Sequence, residues 1–583
     1  MRALARASWR AAWCLVCLGA TLTNGPADRL VLGCFAPPAV RFDLADPNVA
    51  WAACASIVPG AFPFRVDPSG GLQAAPGRAA FLLPAALSGG TIDDVVLERP
   101  DLAWVTVSGG VEGIVPFDPQ TGAAIPVRFE GTLGAFVPTQ VSFSGAFTRS
   151  DGSQVGQFTT NFTSGVARVG NRLLAVTSNF AATGLNAVNN PGTVLLFDVD
   201  ESQPGEISVD RPVSGPDHVL TSDFNPTGIV ALPSGPVAVT NTGVLILTTP
   251  PTAGSAASID LIEPSSGAPL LSIPLGLATP AFRDLALDST GSVGVIGSAA
   301  LRQLYAIDLR GVGSFVDPGV DPTLQRTSCN AGAGAGVPCA PARVVRGVAN
   351  PIAIPASPQG MPSPDGFVPD VEFGGDGGFI IATASDDGLL AVAPFDPRNL
   401  SGPHPLLASR FGAVEAFQVT PAAEAAVGQE HGPGPLALRP PPGGGLAGTL
   451  AVWTTLGPAG RLDRGVLGGT LPGPTGDLDG DGSEDALDDC PLLANPGQAD
   501  AGGIGASGPD GIGDACQCGD ASGDGGVDAL DLAAISDCLA GAIPCASLCD
   551  TNGDGLCDVS DVTAVQLVLA ASAAPRCAAF TLP

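Results

Sequence analysis

Two twelve-residue runs near the C-terminus hold the residues with the clearest chemistry. Asp550-Thr-Asn552-Gly-Asp554-Gly-Leu556-Cys-Asp558-Val-Ser-Asp561 sets oxygen-bearing side chains at loop positions 1, 3, 5, 9 and 12, with Gly555 at position 6 for a sharp turn. Upstream, Asp520-Ala-Ser522-Gly-Asp524-Gly-Gly526-Val-Asp528-Ala-Leu-Asp531 repeats the pattern in register. A chain wraps a hard cation in this way, because Ca²⁺ takes six to eight oxygens at ~2.3–2.6 Å. An apolar helical stretch follows each loop, so the ligands must be set by short helices.

Both loops close on Asp, where the usual EF-hand loop has a bidentate Glu. Over roughly Cys518 to Ala570 the pair resembles the type I dockerin repeat, the module that docks secreted enzymes onto cohesin domains. The resemblance implies a small α-helical, EF-hand-like module that holds two Ca²⁺ ions. One ion falls to Asp520, Ser522, Asp524, Asp531 and the Gly526 carbonyl. The other falls to Asp550, Asn552, Asp554, Asp561 and the Leu556 carbonyl, and Asp528 and Asp558 reach the ions through water. A cohesin-like protein is the partner the resemblance suggests. Dockerins choose that partner with a matched pair at positions 10 and 11 and with basic helix residues. Here the pairs are Ala529-Leu530 and Val559-Ser560, and no basic residue is present. Calcium binding carries over; cohesin binding does not follow.

Asp477-Leu-Asp479-Gly-Asp481-Gly-Ser-Glu-Asp485-Ala-Leu-Asp488-Asp-Cys490-Pro leads through Asn495-Pro-Gly-Gln498-Ala-Asp500 to Asp510-Gly-Ile-Gly-Asp514-Ala-Cys516. This resembles the thrombospondin type 3 repeat in its CP, NPxQxD and DGxGDxC elements. The resemblance implies further Ca²⁺ held by Asp477, Asp479, Asp481, Asp485, Asp488, Asp510 and Asp514, with Cys490 and Cys516 as staples. Gly505-Ala-Ser-Gly508 replaces part of the usual second acidic run, which puts one cation site in doubt.

The charge distribution agrees with a calcium-bound tail. Of the net −31 over 583 residues, −19 lies between Gly476 and Asp561, which has nineteen acids and no base. Such a charge repels nucleic acid and anionic membrane. Gly (79) and Pro (56) are abundant, yet hydrophobic residues reach 45%, so many short strands and tight turns are expected rather than disorder.

Arg2, Arg6 and Arg10 precede the apolar run Ala11 to Leu22, which reads as a secretory leader over 1–22, too short to span a bilayer. A buried N-terminal helix is the plainer alternative. Val31-Leu32-Gly33-Cys34 resembles a bacterial lipobox, an alternative route to an outer-membrane lipoprotein through Cys34. No other stretch has transmembrane length. Beyond the leader, twelve cysteines fall in local groups: Cys34 with Cys54, Cys329 with Cys339, and eight from Cys490 to Cys577. Even numbers behind an export signal imply disulfides. Zinc is the competing reading, but Cys516-Gln-Cys518 and Cys545-Ala-Ser-Leu-Cys549 lack ligand spacing, and the tail has no His.

From residue 35 to 472 short apolar runs alternate with Gly, Pro, Asn and Asp turns, the mark of a mainly β domain. An apolar residue followed by an acid recurs at Phe42-Asp43, Phe117-Asp118, Phe197-Asp198, Ile262-Glu263, Ile307-Asp308 and Phe395-Asp396, and Leu450 to Trp453 closes the series. The interval from Glu263 to Asp308 is about one four-stranded propeller blade. Phe282 to Gly297, followed by Leu304-Tyr-Ala-Ile-Asp308, resembles a blade of the YVTN or NHL-like β-propellers. Six to eight blades are expected, seven favoured, with a pair of two-sheet sandwiches as the alternative. The tail divides into the thrombospondin type 3-like repeat, 476–516, and the dockerin-like module, 518–577.

Catalytic signatures are scarce. His218, His404 and His431 are scattered, and no HExxH or GxSxG occurs. Gly443-Gly-Gly445-Leu-Ala-Gly448 matches GxGxxG but precedes a strand, so it reads as a turn. Ser385-Asp-Asp387-Gly388 approaches the sialidase Asp-box without its spacing. Acids in the repeat read as turn caps. The leading expectation is therefore a secreted or surface-displayed, non-catalytic binding protein: a propeller presents a surface to a protein or glycan, and a calcium-rigidified tail serves as stalk and docking module. The alternatives are a dockerin-bearing component of extracellular polysaccharide degradation and a calcium-dependent adhesin.

Overall fold

Runs such as Leu102–Ser108, Phe379–Ala384 and Leu450–Thr455 do not alternate apolar with polar, and in the structure every residue of these three strands is buried. A strand reads this way when both faces of its sheet are covered. Blades packed side by side in a ring impose that condition, and the computed structural model is a β-propeller. It describes residues 20–23, 29–31, 37–309 and 352–469 with internal gaps, the longest at 354–367, 396–413 and 420–432, and then 496–499, 529–541 and 557–569.

Six blades come from consecutive strands. Their innermost strands are Val40–Phe42, Thr91–Arg99, Thr163–Val169, Pro226–Ala231, Ala286–Leu287 and Val371–Phe373. A closing sheet completes the ring. It joins Pro433–Arg439, Leu450–Thr455 and Arg461–Gly469 to two strands from the other end of the chain, Ala20–Thr23 and Arg29–Val31, both antiparallel to Arg461–Gly469. This ring lies within the expected range of blades, and the sandwich alternative is excluded. The strand at Leu450 does not end the series, since Arg461–Gly469 follows it. Ala20–Thr23 overlaps the last three residues of the span read as a leader.

One apolar core fills each gap between neighbouring sheets. Trp51, Phe81 and Phe117 join blades one and two, and the Phe117 ring lies 5.3 Å from Trp51 and 4.6 Å from Phe81. Trp104 and Phe197 join two and three, Leu174 and Ile229 three and four, Leu261 and Ile307 four and five, Leu304 and Ile380 five and six. Phe379 and Trp453 then meet between blade six and the closing sheet, while Phe64 and Val452 close the circle onto blade one. Burial of a large side chain contributes ~1.5–3 kcal/mol, so continuous side-by-side packing holds the ring. Propellers also leave few open sheet edges.

The outer strand is split in blades one to three and in the closing sheet. In blade one, Gly71–Ala74 and Phe81–Leu82 both pair with Gly60–Asp67. Blade three is widened further: Val127–Phe129 pairs in parallel with Ile207–Asp210 and then antiparallel with Thr132–Gly134. Ser142–Thr148 and Gln154–Thr159 form a separate hairpin, with Phe143 and Phe158 packed against the core of blades two and three. In the tail, the helices Ala529–Leu539 and Val559–Leu569 share a small core of Ile535, Cys538 and Val565. The three described cysteines, Cys54, Cys538 and Cys557, are each disulfide-bonded. Among the described residues no helix is long and apolar enough to cross a membrane.

Candidate functional site

The repeat acids are where the sequence placed its regular carboxylates, and in the structure most of them serve turns and ion pairs. Phe117-Asp118 and Ile307-Asp308 end the third strands of blades two and five, Glu263 follows that of blade four, and Phe197-Asp198 lies near the end of that of blade three; Asp396 falls outside the described residues. Phe42-Asp43 is the exception, following the first strand of blade one, whose third strand ends instead at Val66-Asp67. Asp118 accepts from the Gln120 N–H at 2.7 Å and the Thr121 hydroxyl at 2.8 Å, and Glu263 accepts from the Ser265 hydroxyl at 2.8 Å. Asp198 pairs with Arg172 at 2.7 Å. Asp43 accepts from Trp51 Nε1 at 3.0 Å and pairs with Arg78 at 3.2 Å. Asx-type turns explain this preference.

The innermost strands carry a different set of charges, and the sequence reading passed over it. Arg41 sits mid-strand in Val40–Phe42, Asp94 in Thr91–Arg99 and Glu372 in Val371–Phe373; Arg283 and Asp284 lead into blade five, and Asp370 into blade six. Arg41 Nη2 lies 3.8 Å from Asp94 and 3.9 Å from Asp284, and Arg283 lies 3.6 Å from Asp94. Asp284 Oδ1 accepts the Ile229 N–H of blade four at 2.7 Å, and Asp370 Oδ2 accepts the Leu436 N–H of the closing sheet at 2.8 Å. These charges link blades one, two, four, five and six and the closing sheet around the axis. The available signal was a single charge between two apolar residues, as in VRF at 40–42 and VEF at 371–373.

Burial dominates the electrostatics. It pushes the Asp284 carboxyl up to about 7, with Asp94 adding to the effect, and Glu372 up to about 8, helped by Asp370. The Asp370 carboxyl is raised by burial as well. Burial by itself would lower the Arg41 guanidinium, but Asp94, Glu372, Asp370 and Asp284 together raise it, so it stays charged. A desolvated carboxyl favours its neutral form.

Arg41 and Asp284 line a cavity of about 390 Å³. Its walls come from the inner strands of four blades, through Phe42, Val96 and Leu97, Val166 and Ala167, and Ile229 to Ala231, with Leu44 just beyond the first of them. Glu98, Trp104 and Arg168 line it too. Glu98 accepts from Trp104 Nε1 at 2.6 Å and from Arg168 Nη1 at 3.0 Å, and Arg168 also pairs with Glu201, which Arg99 meets at 2.5 Å. Apolar and charged side chains line a concavity in the size range of small-molecule sites.

Most of the sequence-derived calcium ligands lie outside the described residues: Asp520, Ser522, Asp524, Gly526 and Asp528 of one loop, Asp550, Asn552, Asp554 and Leu556 of the other, and Asp477, Asp479, Asp481, Asp485, Asp488, Asp510 and Asp514 upstream. Asp531 falls within the helix Ala529–Leu539, and both helices start at position 10 of their loops. Asp561 is fully buried, and its Oδ2 accepts the Asp558 N–H at 2.8 Å, tying positions 9 and 12 together. Among the described residues no group of three or more His, Cys, Asp or Glu is placed to hold a metal.

His218 stands in the strand His218–Leu220: Nδ1 lies 2.7 Å from Asp217, and its ring packs 4.1 Å from that of Phe143. His404, His431 and Ser385 to Asp387 fall outside the described residues. Of the GxGxxG match, the described Gly445 and Gly448, before the strand Leu450–Thr455, are both in the left-handed region.

No protein-family model matches the chain. No curated protein is similar to it in sequence. Among solved structures, the β-propeller domain of Cps50 (Swd1) from Myceliophteria thermophila is similar at 10% identity, covering 75% of this chain and 98% of that one with a TM-score of 0.40. Sqt1 from Chaetomium thermophilum is similar at 12% identity, covering 76% and 99% with a TM-score of 0.38. At these scores the likeness carries no argument; the propeller stands on its sheet order and its cores.

Proposed function

We propose that this is a secreted or surface-displayed, calcium-binding, non-catalytic binding protein. Its propeller takes a ligand at the axial cavity, and its Ca²⁺-rigidified tail acts as stalk and protein-docking module. The observation that carries the binding reading is the state of the cavity's carboxylates. Glu98 is held by Trp104 and Arg168, and Asp284 by the Ile229 N–H, so both are positioned as fixed recognition groups. The docking reading rests on the two in-register acidic loops, each continuing into a helix at the same position. If both loops fill, Ca²⁺ offsets carboxylate repulsion, and folding of the tail is coupled to metal.

The test immobilises the full-length protein, presents secreted and envelope proteins in Ca²⁺, and elutes with EDTA. Docking predicts a partner that EDTA releases and that is not retained by an Asp520→Ala/Asp550→Ala variant. Capture unaffected by EDTA and by that variant refutes docking through the tail.

A further inference from the structure

The floor of the axial cavity has unfilled hydrogen-bonding capacity of both signs. Arg41 donates Nη1 to the Val40 carbonyl at 3.0 Å, but its Nη2 is 3.8 Å from Asp94 and 3.9 Å from Asp284, beyond hydrogen-bonding distance. Asp284 spends Oδ1 on the Ile229 N–H, while Oδ2 is the atom that stands 3.9 Å from Arg41. Donor and acceptor therefore sit side by side, each too far to satisfy the other. A hydroxyl is at once donor and acceptor. One set between them accepts from Arg41 and donates to Asp284, and a neighbouring hydroxyl can repeat the exchange with the remaining guanidinium N–H groups.

Charge narrows the ligand class. The lining holds two guanidinium groups, Arg41 and Arg168, and two carboxylates, Glu98 and Asp284, and so is balanced. A ligand carboxylate would suit Arg41 but meet Asp284, with Asp94 close by; an ammonium would suit Asp284 but meet Arg41. The walls, Phe42, Leu44, Leu97, Val166 and Ala231, suit the C–H face of a ring.

We propose that the axial cavity binds a neutral polyhydroxylated molecule, a sugar ring or cyclic polyol, whose hydroxyls bridge Arg41 and Asp284 while its C–H face rests on Phe42, Leu44 and Leu97. This inference rests on the reading of the propeller as the ligand-binding part. The experiment is calorimetric titration of the full-length protein in Ca²⁺ at pH ~8, above the raised Asp284 value of about 7, where its carboxylate is ionised. The probes are the methyl glycosides of glucose, galactose and mannose, then myo-inositol, with glucosamine and glucuronate as charged counterparts. At least one neutral probe should bind with Kd in the range of ~0.1–5 mM, ~3–5.5 kcal/mol of affinity. Its charged counterparts should bind at least about tenfold more weakly, a difference of about 1.4 kcal/mol.

Ala231→Phe, which fills the cavity from one wall, should abolish the signal. Leu44, 54% exposed at the lip, gives a second variant with little bearing on folding, and Leu44→Ser should weaken binding about threefold, or ~0.6 kcal/mol. The proposal is overturned if no neutral probe binds, if glucosamine or glucuronate binds as tightly, or if both variants bind like the parent. Partner capture by the tail is scored separately, so a captured partner with no polyol bound removes this proposal and leaves the docking reading standing.

Discussion

Gly228 controls the floor of the axial cavity through an atom it lacks. It lies in the inner strand Pro226–Ala231, and a Cβ there would sit 2.3 Å from the Arg283 carbonyl oxygen, 2.4 Å from its carbon and 2.6 Å from the Asp284 nitrogen. All three are backbone atoms, so no rotamer change makes room. Gly228→Ala must push Arg283-Asp284 away from blade four and pull Asp284 off the Ile229 N–H, now 2.7 Å away. Overpacking costs ~1–3 kcal/mol, and a hydrogen bond to a charged group ~1.5–3 kcal/mol. Because one displacement produces both losses they do not add fully, and the expected destabilisation is about 3–5 kcal/mol. The assay is urea unfolding of the full chain at constant Ca²⁺, followed by tryptophan fluorescence. Gly156→Ala is the control, since nothing lies within 4 Å of its added Cβ, and it should stay within ~0.5 kcal/mol of the parent. Equal midpoints for the two variants would refute the reasoning, since the blade contact at Gly228 would then be slack.

The axial carboxyls make stability depend on pH. Their folded pKa values are raised above the unfolded ones, to about 7 for Asp284 and about 8 for Glu372, so the stability they add is complete below the ordinary carboxylate range. It drains away as pH rises from ~4 through ~8, and Glu372→Gln should flatten the fall; a profile unchanged by that substitution would show that Glu372 does not titrate there. Removing residues 1–31 deletes both terminal strands that pair with Arg461–Gly469, and it should lower the melting midpoint by about 5–10 °C and promote self-association. An unchanged midpoint with a monomeric sedimentation profile would contradict that role. In the tail, Asp561→Ala removes the acceptor for the Asp558 N–H and should cost ~0.5–2 kcal/mol of helix stability even without Ca²⁺. Far-ultraviolet circular dichroism in EDTA checks this, and no change would leave Asp561 with a metal role alone.

Local chemistry accounts for what could be read in the chain. Continuous apolar strands, Gly and Pro turns and a recurring acid after an apolar residue are period and turn signals that survive without tertiary context. They led to a propeller and to acids such as Asp118 and Glu263 as turn caps, and the structure has both. The acidic loops were also read from one short stretch each, and most of their proposed ligands lie outside the described residues. The axial site was not legible, since Arg41, Asp284, Asp370 and Glu372 are far apart in the chain and none belongs to a local motif. They meet only because the inner strands of successive blades converge on one axis, and burial there then sets their protonation. The pairing of Ala20–Thr23 with Arg461–Gly469 is of the same kind. Sequence by itself determined the strands and the turns; only closure of the ring decided which distant charges share one partly buried centre, because that proximity follows from packing between sheets and from nothing within any one of them.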